Sequence, residues 1–317
     1  MIRDALIYLS GNTLARRVAT HAPGARAMAR RFVAGETVDD GIAAARALNK
    51  RGLKVSLDYL GESVSRREEA VAAADTYIRL IERIAAEKLD TNVSMKLTQM
   101  GQDIDHAFLR ENVKRILDTA HSREIFVRFD MESSKYTQRT LDFFRELWAE
   151  GYRNIGVVLQ SYLRRSEQDT LDMNGMGARV RLCKGAYQER DDVAFPGKPE
   201  VDGNFIRLMR LLVGSGNYPG IATHDEAMIR ATLAFVRETK TDPSRFEFQM
   251  LYGVRRDLQH ELHSQGYNLR VYVPYGEAWY PYLMRRMAER PANLFFIVNA
   301  VLAESPLAFL VRRNDKA

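Results

Sequence analysis

Two adjacent arginines in the segment YLMRRMAERPANLFF, residues 282–296, raise the first question about chemistry. A helix would place four polar or aromatic side chains on one face, at i, i+3, i+4 and i+7: Tyr282, Arg285, Arg286 and Glu289. Pro281 suits the first turn of such a helix, where cations oppose the helix dipole. The two arginines are therefore better explained by an anion that they bind than by helix stability, because arginine holds a carboxylate bidentately. The alternative is a solvated face with an ion pair between Arg285 and Glu289.

Polar side chains also recur at the ends of short apolar runs that have the composition of β-strands. These residues are Lys96, Asp130, Gln160, Arg181, Lys184, Thr223, His224, Gln249 and Tyr272. A polar or charged group inside an apolar run is costly unless it is paired with another group or with a ligand. The pattern therefore predicts that these residues together form a site.

Eight such runs alternate with longer helical segments. Strands are predicted at residues 54–60, 92–97, 125–130, 154–160, 178–184, 220–224, 246–251 and 269–274. Helices are predicted between them, as at 67–89 and 136–151, with Gly151 as a candidate C-cap. Eight β-α repeats over roughly 240 residues predict an α/β protein with a (β/α)8 TIM barrel, whose functional residues lie where the strands end. A doubly wound sheet is the alternative, but it would not give these residues a common rim.

The first fifty residues predict an N-terminal helical arm. One helix is expected through about Ala19, a second over residues 25–32, and a third begun by Thr37 as N-cap with Asp39 and Asp40 in its first turn. We therefore predict two parts, an arm over residues 1–50 and a catalytic barrel with a C-terminal helix over residues 51–317.

Composition excludes several classes of protein. Of the 317 residues, 46% are hydrophobic and 28% charged, which indicates a globular chain. The net charge of +6 comes from 47 basic residues interleaved with 41 acidic ones, which argues against a nucleic-acid surface. The N-terminus lacks the pattern of a signal peptide, and no segment approaches the ~18 apolar residues that span a bilayer, so we expect a cytoplasmic protein.

Cysteine and histidine offer no metal site. The single cysteine, Cys183, excludes an intrachain disulfide and a multi-cysteine metal site, and a strand position favours a buried hydrophobe. The histidines of HELH, residues 260–263, stand at i, i+3 and lack the i, i+4 spacing of zinc proteases, so a solvated helix is expected. We predict no metal.

The motifs around the strand ends resemble those of monofunctional bacterial proline dehydrogenases, which depend on flavin. The matching segments are SLDYLGES, SMKLTQMG, VRFDMES, VVLQSYLRRSEQD, VRLCKGAYQE, ATHDE, EFQMLYG, LRVYVPYG and YPYLMRRMAERPANLFF. They run from about residue 56 to residue 296 and fall on all eight predicted strands. Because the sequence stops soon after the barrel, we expect the monofunctional form and not the one fused to an aldehyde dehydrogenase.

The resemblance implies FAD as cofactor and L-proline as substrate. Proline would be oxidised to Δ1-pyrroline-5-carboxylate by hydride transfer from its C5 to flavin N5, the first step of proline catabolism, with the electrons passed to a membrane quinone. Arg285 and Arg286 would bind the substrate carboxylate, and Glu62 would pair with Arg285 as a gate. Tyr272 and Tyr282 would cover the proline ring, above Lys96 and Asp130. The residues implied for cofactor binding are Gln160, Arg181, Lys184, Ala186, Tyr187, Thr223, His224, Gln249 and Glu289.

Several alternatives stay open. Lys96 either modulates the protonation of the substrate or only pairs with Asp130. A Schiff-base aldolase with Lys96 as nucleophile and a non-catalytic carboxylate sensor are competing functions. Tyr272 favours proline over 4-hydroxyproline, because family members that oxidise the latter have a smaller residue there. The apolar segment 293–313, with a basic end, either packs on the barrel or touches the inner face of the cytoplasmic membrane while quinone docks. A separate pyrroline-5-carboxylate dehydrogenase is the expected partner.

Overall fold

Eight parallel strands close into a barrel in the order of the sequence. The computed structural model describes the backbone of residues 29–289 and the side chains of residues 29–284. Each strand pairs with the next, and the last pairs with the first. The strands are β1 Lys54–Tyr59, β2 Thr91–Met95, β3 Val127–Phe129, β4 Ile155–Gln160, β5 Arg179–Cys183, β6 Gly220–Ala222, β7 Glu247–Leu251 and β8 Leu269–Tyr275. The predicted barrel and its eight strands are confirmed.

Helices surround the barrel. In the described part of the chain they are α1 Val38–Asn49, α2 Arg67–Ala86, α3 His106–Ser122, α4 Ser134–Ala149, α5 Ser166–Gly175, α6 Lys198–Ser215, α7 Glu226–Thr239, α8 Arg256–Ser264 and α9 Trp279–Glu289. The helices expected from the patterns at 67–89 and 136–151 are confirmed as α2 and α4. Gly151 follows the end of α4 with a φ of 102°, a left-handed position that favours glycine. The helix predicted through Ala19 and the first half of the one at 25–32 lie outside the described residues.

The start of α1 follows the predicted capping chemistry. Thr37 Oγ1 accepts a hydrogen bond from the Asp40 amide at 3.2 Å, and the Asp40 carboxylate accepts one from the Thr37 amide at 2.9 Å. The hydrogen bonds from Thr37 lower the pKa of Asp40, so the cap stays charged at neutral pH. Thr37 is therefore confirmed as the N-cap of α1.

Helix α1 occupies the place that a barrel of this type usually gives to the helix after its last strand. It packs against β1, β8 and α2, and its Ile42 and Ala45 are buried in the main apolar core. Gly41 lies so close to β8 that a Cβ there would be 3.0 Å from the ring of Tyr275. The predicted arm boundary at residue 50 stays a prediction, but α1 itself packs as part of the barrel wall.

Helix α9, which follows β8, is consequently displaced to the rim. Its Trp279, Leu283 and Met284 form a separate apolar cluster with Val33 and with Leu60, the residue after β1. The segment that precedes α1 is bonded to the same region, since the Ala34 amide donates to the carbonyl of Pro274 on β8. The helix that carries the arginine pair therefore lies beside the C-terminal ends of the strands.

The strands are apolar outside and polar inside. On β1, Val55 and Leu57 face the helices, whereas Ser56 and Asp58 alternate with them and are equally buried. The other buried polar residues of the barrel strands include Ser94, Arg128, Gln160, Arg181, Glu247, Gln249 and Arg270. Barrels of this type usually fill their interior with branched apolar side chains. Here the apolar core lies between strands and helices, and the interior is left to hydrogen bonds.

If α1 belongs to the barrel wall, truncating its buried face should destabilise the whole fold. Ile42 is 1% exposed, so Ile42→Ala should lower the free energy of unfolding by about 2–4 kcal/mol. Urea denaturation followed by circular dichroism measures this loss. Ala47→Ser on the solvent face of the same helix is the control and should change stability by less than about 0.5 kcal/mol. Equal, small losses would mean that α1 is not part of the cooperative unit.

Candidate active site

Asp130, directly after β3, is the centre of the polar interior. Its Oδ1 accepts a hydrogen bond from Arg181 Nη1 and its Oδ2 one from the Tyr272 hydroxyl, both at 2.7 Å. The Arg181 guanidinium carbon also stands 5.1 Å from the centre of the Tyr272 ring, within range of a cation–π contact. Burial and the facing carboxylate raise the pKa of Tyr272, so its hydroxyl stays a donor. Strands β3, β5 and β8 thus bring three sequence-predicted residues together.

Below this group, hydrogen bonds orient Arg181. Its Nε donates to Gln249 Oε1, and its Nη2 donates to Ser94 Oγ at 3.1 Å. The other end of the Gln249 amide donates to Glu247 Oε1 at 2.6 Å, which also accepts from Arg270 Nε at 2.7 Å. Burial alone would raise the pKa of Glu247, but Arg270 outweighs it and the net pKa is lowered. Because Glu247 can only accept, it fixes which end of the Gln249 amide faces Arg181.

Lys96, directly after β2, has two carboxylates within reach. Its Nζ is 3.2 Å from Asp58 Oδ2 and 3.8 Å from Asp130 Oδ2. Burial alone would lower the pKa of Lys96, but these carboxylates outweigh it and raise it, so the side chain is an ammonium at neutral pH. The pairing with Asp130 expected from the sequence is present, and Asp58 is the nearer partner.

Asp58 is a site residue that the sequence analysis missed. It is 1% exposed, and burial raises the pKa of its carboxyl against the opposing effect of Lys96. Reading β1 at every second residue would have found it, because Ser56 and Asp58 are polar in a strand whose other face is apolar. Ser56 meets Ser94 of β2 at 3.0 Å between hydroxyl oxygens, which continues the same inward row.

The loop after β5 supports three residues predicted to contact a cofactor. Lys184 Nζ forms ion pairs with Asp202 and, at 2.7 Å, with Asp225. Gly185 has a φ of 109°, and a Cβ there would lie 2.2 Å from the ring of Tyr162, so only glycine fits. This close approach holds the half-buried Ala186 and Tyr187 at the rim.

Three further predicted cofactor positions, Gln160, Thr223 and His224, lie at the end of β4 and directly after β6. His224 Nε2 accepts from the Leu251 amide at 2.9 Å, so this ring nitrogen carries no proton. Thr223 Oγ1 accepts from the Asp225 amide at 3.1 Å. The Oε1 atom of Gln160 is buried and has no hydrogen-bond donor within the described residues.

The predicted carboxylate-binding face is described in part. Tyr282 is buried on α9, in the apolar cluster with Leu60. Glu62 is half-buried in the loop after β1, and its charge helps to raise the pKa of Lys96, so the two groups are close. The backbone at 285, 286 and 289 is helical, which gives the spacing expected from the sequence. The side chains of Arg285, Arg286 and Glu289 lie outside those described.

Two secondary expectations can be compared with the structure. HELH lies on helix α8, where His260 is exposed, and no group of three or more metal-ligating side chains occurs within the described residues. Cys183 is half-buried on β5 and packs against the apolar core. Across residues 29–289, none of the helices combines the length and the hydrophobicity that crossing a bilayer requires.

The closed parallel barrel, its charged interior and its polar rim define an enzyme of the TIM-barrel class. The pattern of the family "Proline dehydrogenase" matches residues 42–299. The chain therefore belongs to the proline dehydrogenase family, and its activity is that of a proline dehydrogenase.

Full-length relatives support this assignment. Proline dehydrogenase 2 of Bacillus subtilis (strain 168) is 42% identical over 294 residues, which cover 93% of this chain and 96% of the relative. Proline dehydrogenase of Deinococcus radiodurans is also 42% identical, over 87% of this chain and 90% of the relative. Both relatives carry the name proline dehydrogenase and are matched over nine tenths or more of their own length.

More distant relatives share the domain within longer chains. The bifunctional protein PutA of Escherichia coli (strain K12) is 26% identical over 97% of this chain but only 26% of its own length. The crystal structure of proline utilization A from Bdellovibrio bacteriovorus inactivated by N-propargylglycine superimposes with a TM-score of 0.81 at 24% identity, covering 98% of this chain and 39% of the other. This last likeness confirms the fold.

The ion pairs of Asp225 should make the stability depend on acid pH. Burial alone would raise the pKa of Asp225, but hydrogen bonds from Lys184 and from the Ala227 amide hold it down to about 2. A lowered pKa contributes stability that is complete above the ordinary value of 3.8 and is lost as the pH falls from there towards 2. Asp225→Asn should therefore flatten the fall in unfolding free energy between about pH 4 and pH 2, measured by urea denaturation.

Asparagine is the appropriate replacement because it still caps α7 through the Ala227 amide. Lys184→Met, which removes the cation, should flatten the same pH dependence. At neutral pH, the free energy of unfolding of either variant should differ from that of wild type by no more than about 2 kcal/mol. If the unfolding free energy of wild type and of both variants fell equally steeply with decreasing pH, the ion pairs of Asp225 would not be the cause.

Proposed function

We propose that this proline dehydrogenase uses FAD to oxidise L-proline to Δ1-pyrroline-5-carboxylate and passes the electrons to a quinone. The observation that carries the proposal is the position of Asp130, held between Arg181 and Tyr272 with Lys96 beside it. Asp130 and Lys96 directly follow β3 and β2, at the C-terminal ends of the strands, where barrels of this type carry their reactive residues.

The rim suits a substrate that carries a carboxylate and an amine on one small ring. Arg285 and Arg286, on the helix displaced to the rim, are the proposed ligands of the proline carboxylate. The ring of Tyr272 is held by its hydroxyl on Asp130, and Tyr282 is buried on the same helix as the arginines. We assign these two rings to the walls around the proline ring.

The charge of Lys96 favours an electrostatic role over that of a base. Its ammonium lies between Asp58 and Asp130, which keep it protonated, so it has no lone pair with which to take a proton. A fixed cation near the substrate disfavours a second cation, and so favours loss of the amine proton that must precede oxidation. The same protonated state argues against a Schiff-base aldolase, which needs a neutral lysine.

Two features of the rim fit a flavin. Gln160 presents a buried acceptor with no donor in the described part of the chain, and a flavin ring offers N–H groups. Arg181 and Lys184 supply positive charge suited to phosphate oxygens and to an electron-rich ring. We assign cofactor binding to Gln160, Arg181, Lys184, Ala186, Tyr187, Thr223, His224, Gln249 and Glu289. When bound, FAD supplies at N5 the acceptor for hydride from proline C5.

The remaining parts of the proposal concern entry and exit. Glu62 is the proposed gate, pairing with Arg285 when substrate is absent. Residues 293–313, outside the described range, are the proposed contact with the inner face of the cytoplasmic membrane during electron transfer to quinone. A separate pyrroline-5-carboxylate dehydrogenase is the proposed consumer of the product.

An absorption spectrum tests cofactor and substrate together. Purified protein loaded with FAD should show the visible flavin bands, and anaerobic L-proline should bleach them. Tyr272 leads us to expect slower bleaching with 4-hydroxyproline at equal concentration. Protein that takes up no FAD would refute the cofactor, and binding of proline without bleaching would favour the carboxylate sensor. A borohydride-trapped adduct on Lys96 would favour the aldolase.

The arginine pair can be tested separately. Arg286→Lys keeps the charge but loses bidentate geometry, so the KM for L-proline should rise by about tenfold or more. The content of bound FAD, measured from the absorbance ratio, should stay the same. Glu62→Ala is the comparison variant and should change KM less, because it acts through Arg285. An unchanged KM in Arg286→Lys would remove this residue from the carboxylate site.

A further inference from the structure

Thr98 connects three loops at the rim. It belongs to the short 3-10 turn Leu97–Met100 that follows Lys96, and it is fully buried. Its hydroxyl donates to Glu132 Oε2 at 2.7 Å and accepts from the Ser63 amide at 2.9 Å. Its carbonyl accepts from the Val64 amide at 3.1 Å. The loops after β1, β2 and β3 therefore meet at one side chain.

The direction of these hydrogen bonds is determined by their chemistry. A backbone amide only donates, so Thr98 Oγ1 must accept from Ser63. The single hydroxyl proton is then directed at Glu132, whose other oxygen faces the Thr98 amide at 3.4 Å. Glu132 is 5% exposed, so its carboxylate relies on this contact for much of its hydrogen bonding.

The loop held in this way is the one that carries Glu62. Ser63, the next residue, has a φ of 54°, a left-handed conformation that costs a residue other than glycine about 1 kcal/mol. Gly61 is packed so closely on Gln99 that a Cβ there would lie 2.3 Å from its side-chain nitrogen. A strained loop of this kind needs outside contacts to keep it in place.

Glu132 also contributes charge at the same place. Burial raises the pKa of Glu132, and the nearby carboxylate of Glu62 adds to that rise while Lys96 opposes it. Two carboxylates this close repel each other. The charges of Glu132, Glu62 and Lys96 therefore act on one another at this part of the rim.

We propose that Thr98 and Glu132 are positioning residues that hold the Glu62 loop at the entrance to the substrate site. The proposal rests on the proposed function, in which Glu62 lies where proline enters. The hydroxyl of Thr98 bonds to Glu132, after β3, and to the amide of Ser63, after β1. The position of Glu132 therefore helps to determine that of Ser63. Neither residue touches the reacting atoms, so their effect falls on substrate binding and not on the chemical step.

Removing only the hydroxyl tests this role. Thr98→Val keeps the shape of the side chain but loses both hydrogen bonds, each worth about 0.5–1.5 kcal/mol. The KM for L-proline should rise about three- to tenfold, while kcat stays within about twofold. Thr232→Val is the matched control, because Thr232 is also fully buried and, among residues 29–284, its hydroxyl bonds only to the Met228 carbonyl of its own helix. It should leave both constants unchanged.

Hydrogen exchange supplies a readout that does not depend on substrate. In the FAD-loaded full chain, the Ser63 amide should exchange at least about fivefold faster in Thr98→Val than in wild type or Thr232→Val. Glu132→Ala should behave like Thr98→Val, whereas Glu132→Gln keeps an acceptor and should restore slow exchange. Exchange unchanged in Thr98→Val, or equally fast in both Glu132 variants, would overturn the proposal. If proline failed to bleach wild-type enzyme, the proposed function would fail while this test of the loop would stand.

Discussion

A guanidinium in the middle of the barrel needs hydrogen-bond acceptors, and each of the three nitrogens of Arg181 finds one among groups from three other strands or their ends. Asp130 neutralises its charge, Gln249 accepts from Nε, and Ser94 accepts from the remaining nitrogen. Removing one partner of a buried pair leaves an uncompensated charge, at a cost of about 3–5 kcal/mol. The residues around Arg181 are therefore constrained together, and with them the position of Tyr272.

The apolar core that stabilises the fold is therefore separate from the polar barrel interior that carries the site. The apolar core lies between strands and helices, with Leu57, Phe129 and Val157 among its fully buried members. The hydrogen-bonded interior lies on the other face of the same strands. A strand can thus present a polar side chain at every second position to a ligand without weakening the packing outside.

The fold was predictable because each strand is a short apolar run closed by polar or turn residues, and this signal is local. The place of α1 was not, since the pattern of its buried face is the same for an arm as for a barrel wall. What decides its place is the outer face of the paired strands β1 and β8, which α1 covers and which exists only once the whole barrel has closed. In the site, the strand-end positions were visible in the sequence, and the alternation along β1 would also have shown Asp58. The Thr98–Glu132 contact, in contrast, depends on which residues of neighbouring loops lie side by side. The resemblance supplied roles for strand-end residues but did not supply these supporting contacts.

The position of α1 also has a consequence for how the chain folds. Its buried face, with Ile42 and Ala45, is covered by β8, and the segment before it reaches Trp279 through Glu36, 243 residues away along the chain. During synthesis from the N-terminus, α1 and β1 emerge long before those partners exist. Contacts of such high sequence separation form slowly, and until then an apolar helix face and a strand edge remain exposed. One of the first helices to be made is thus among the last to be buried, and a nascent chain that ends before β8 should be the form most in need of a chaperone.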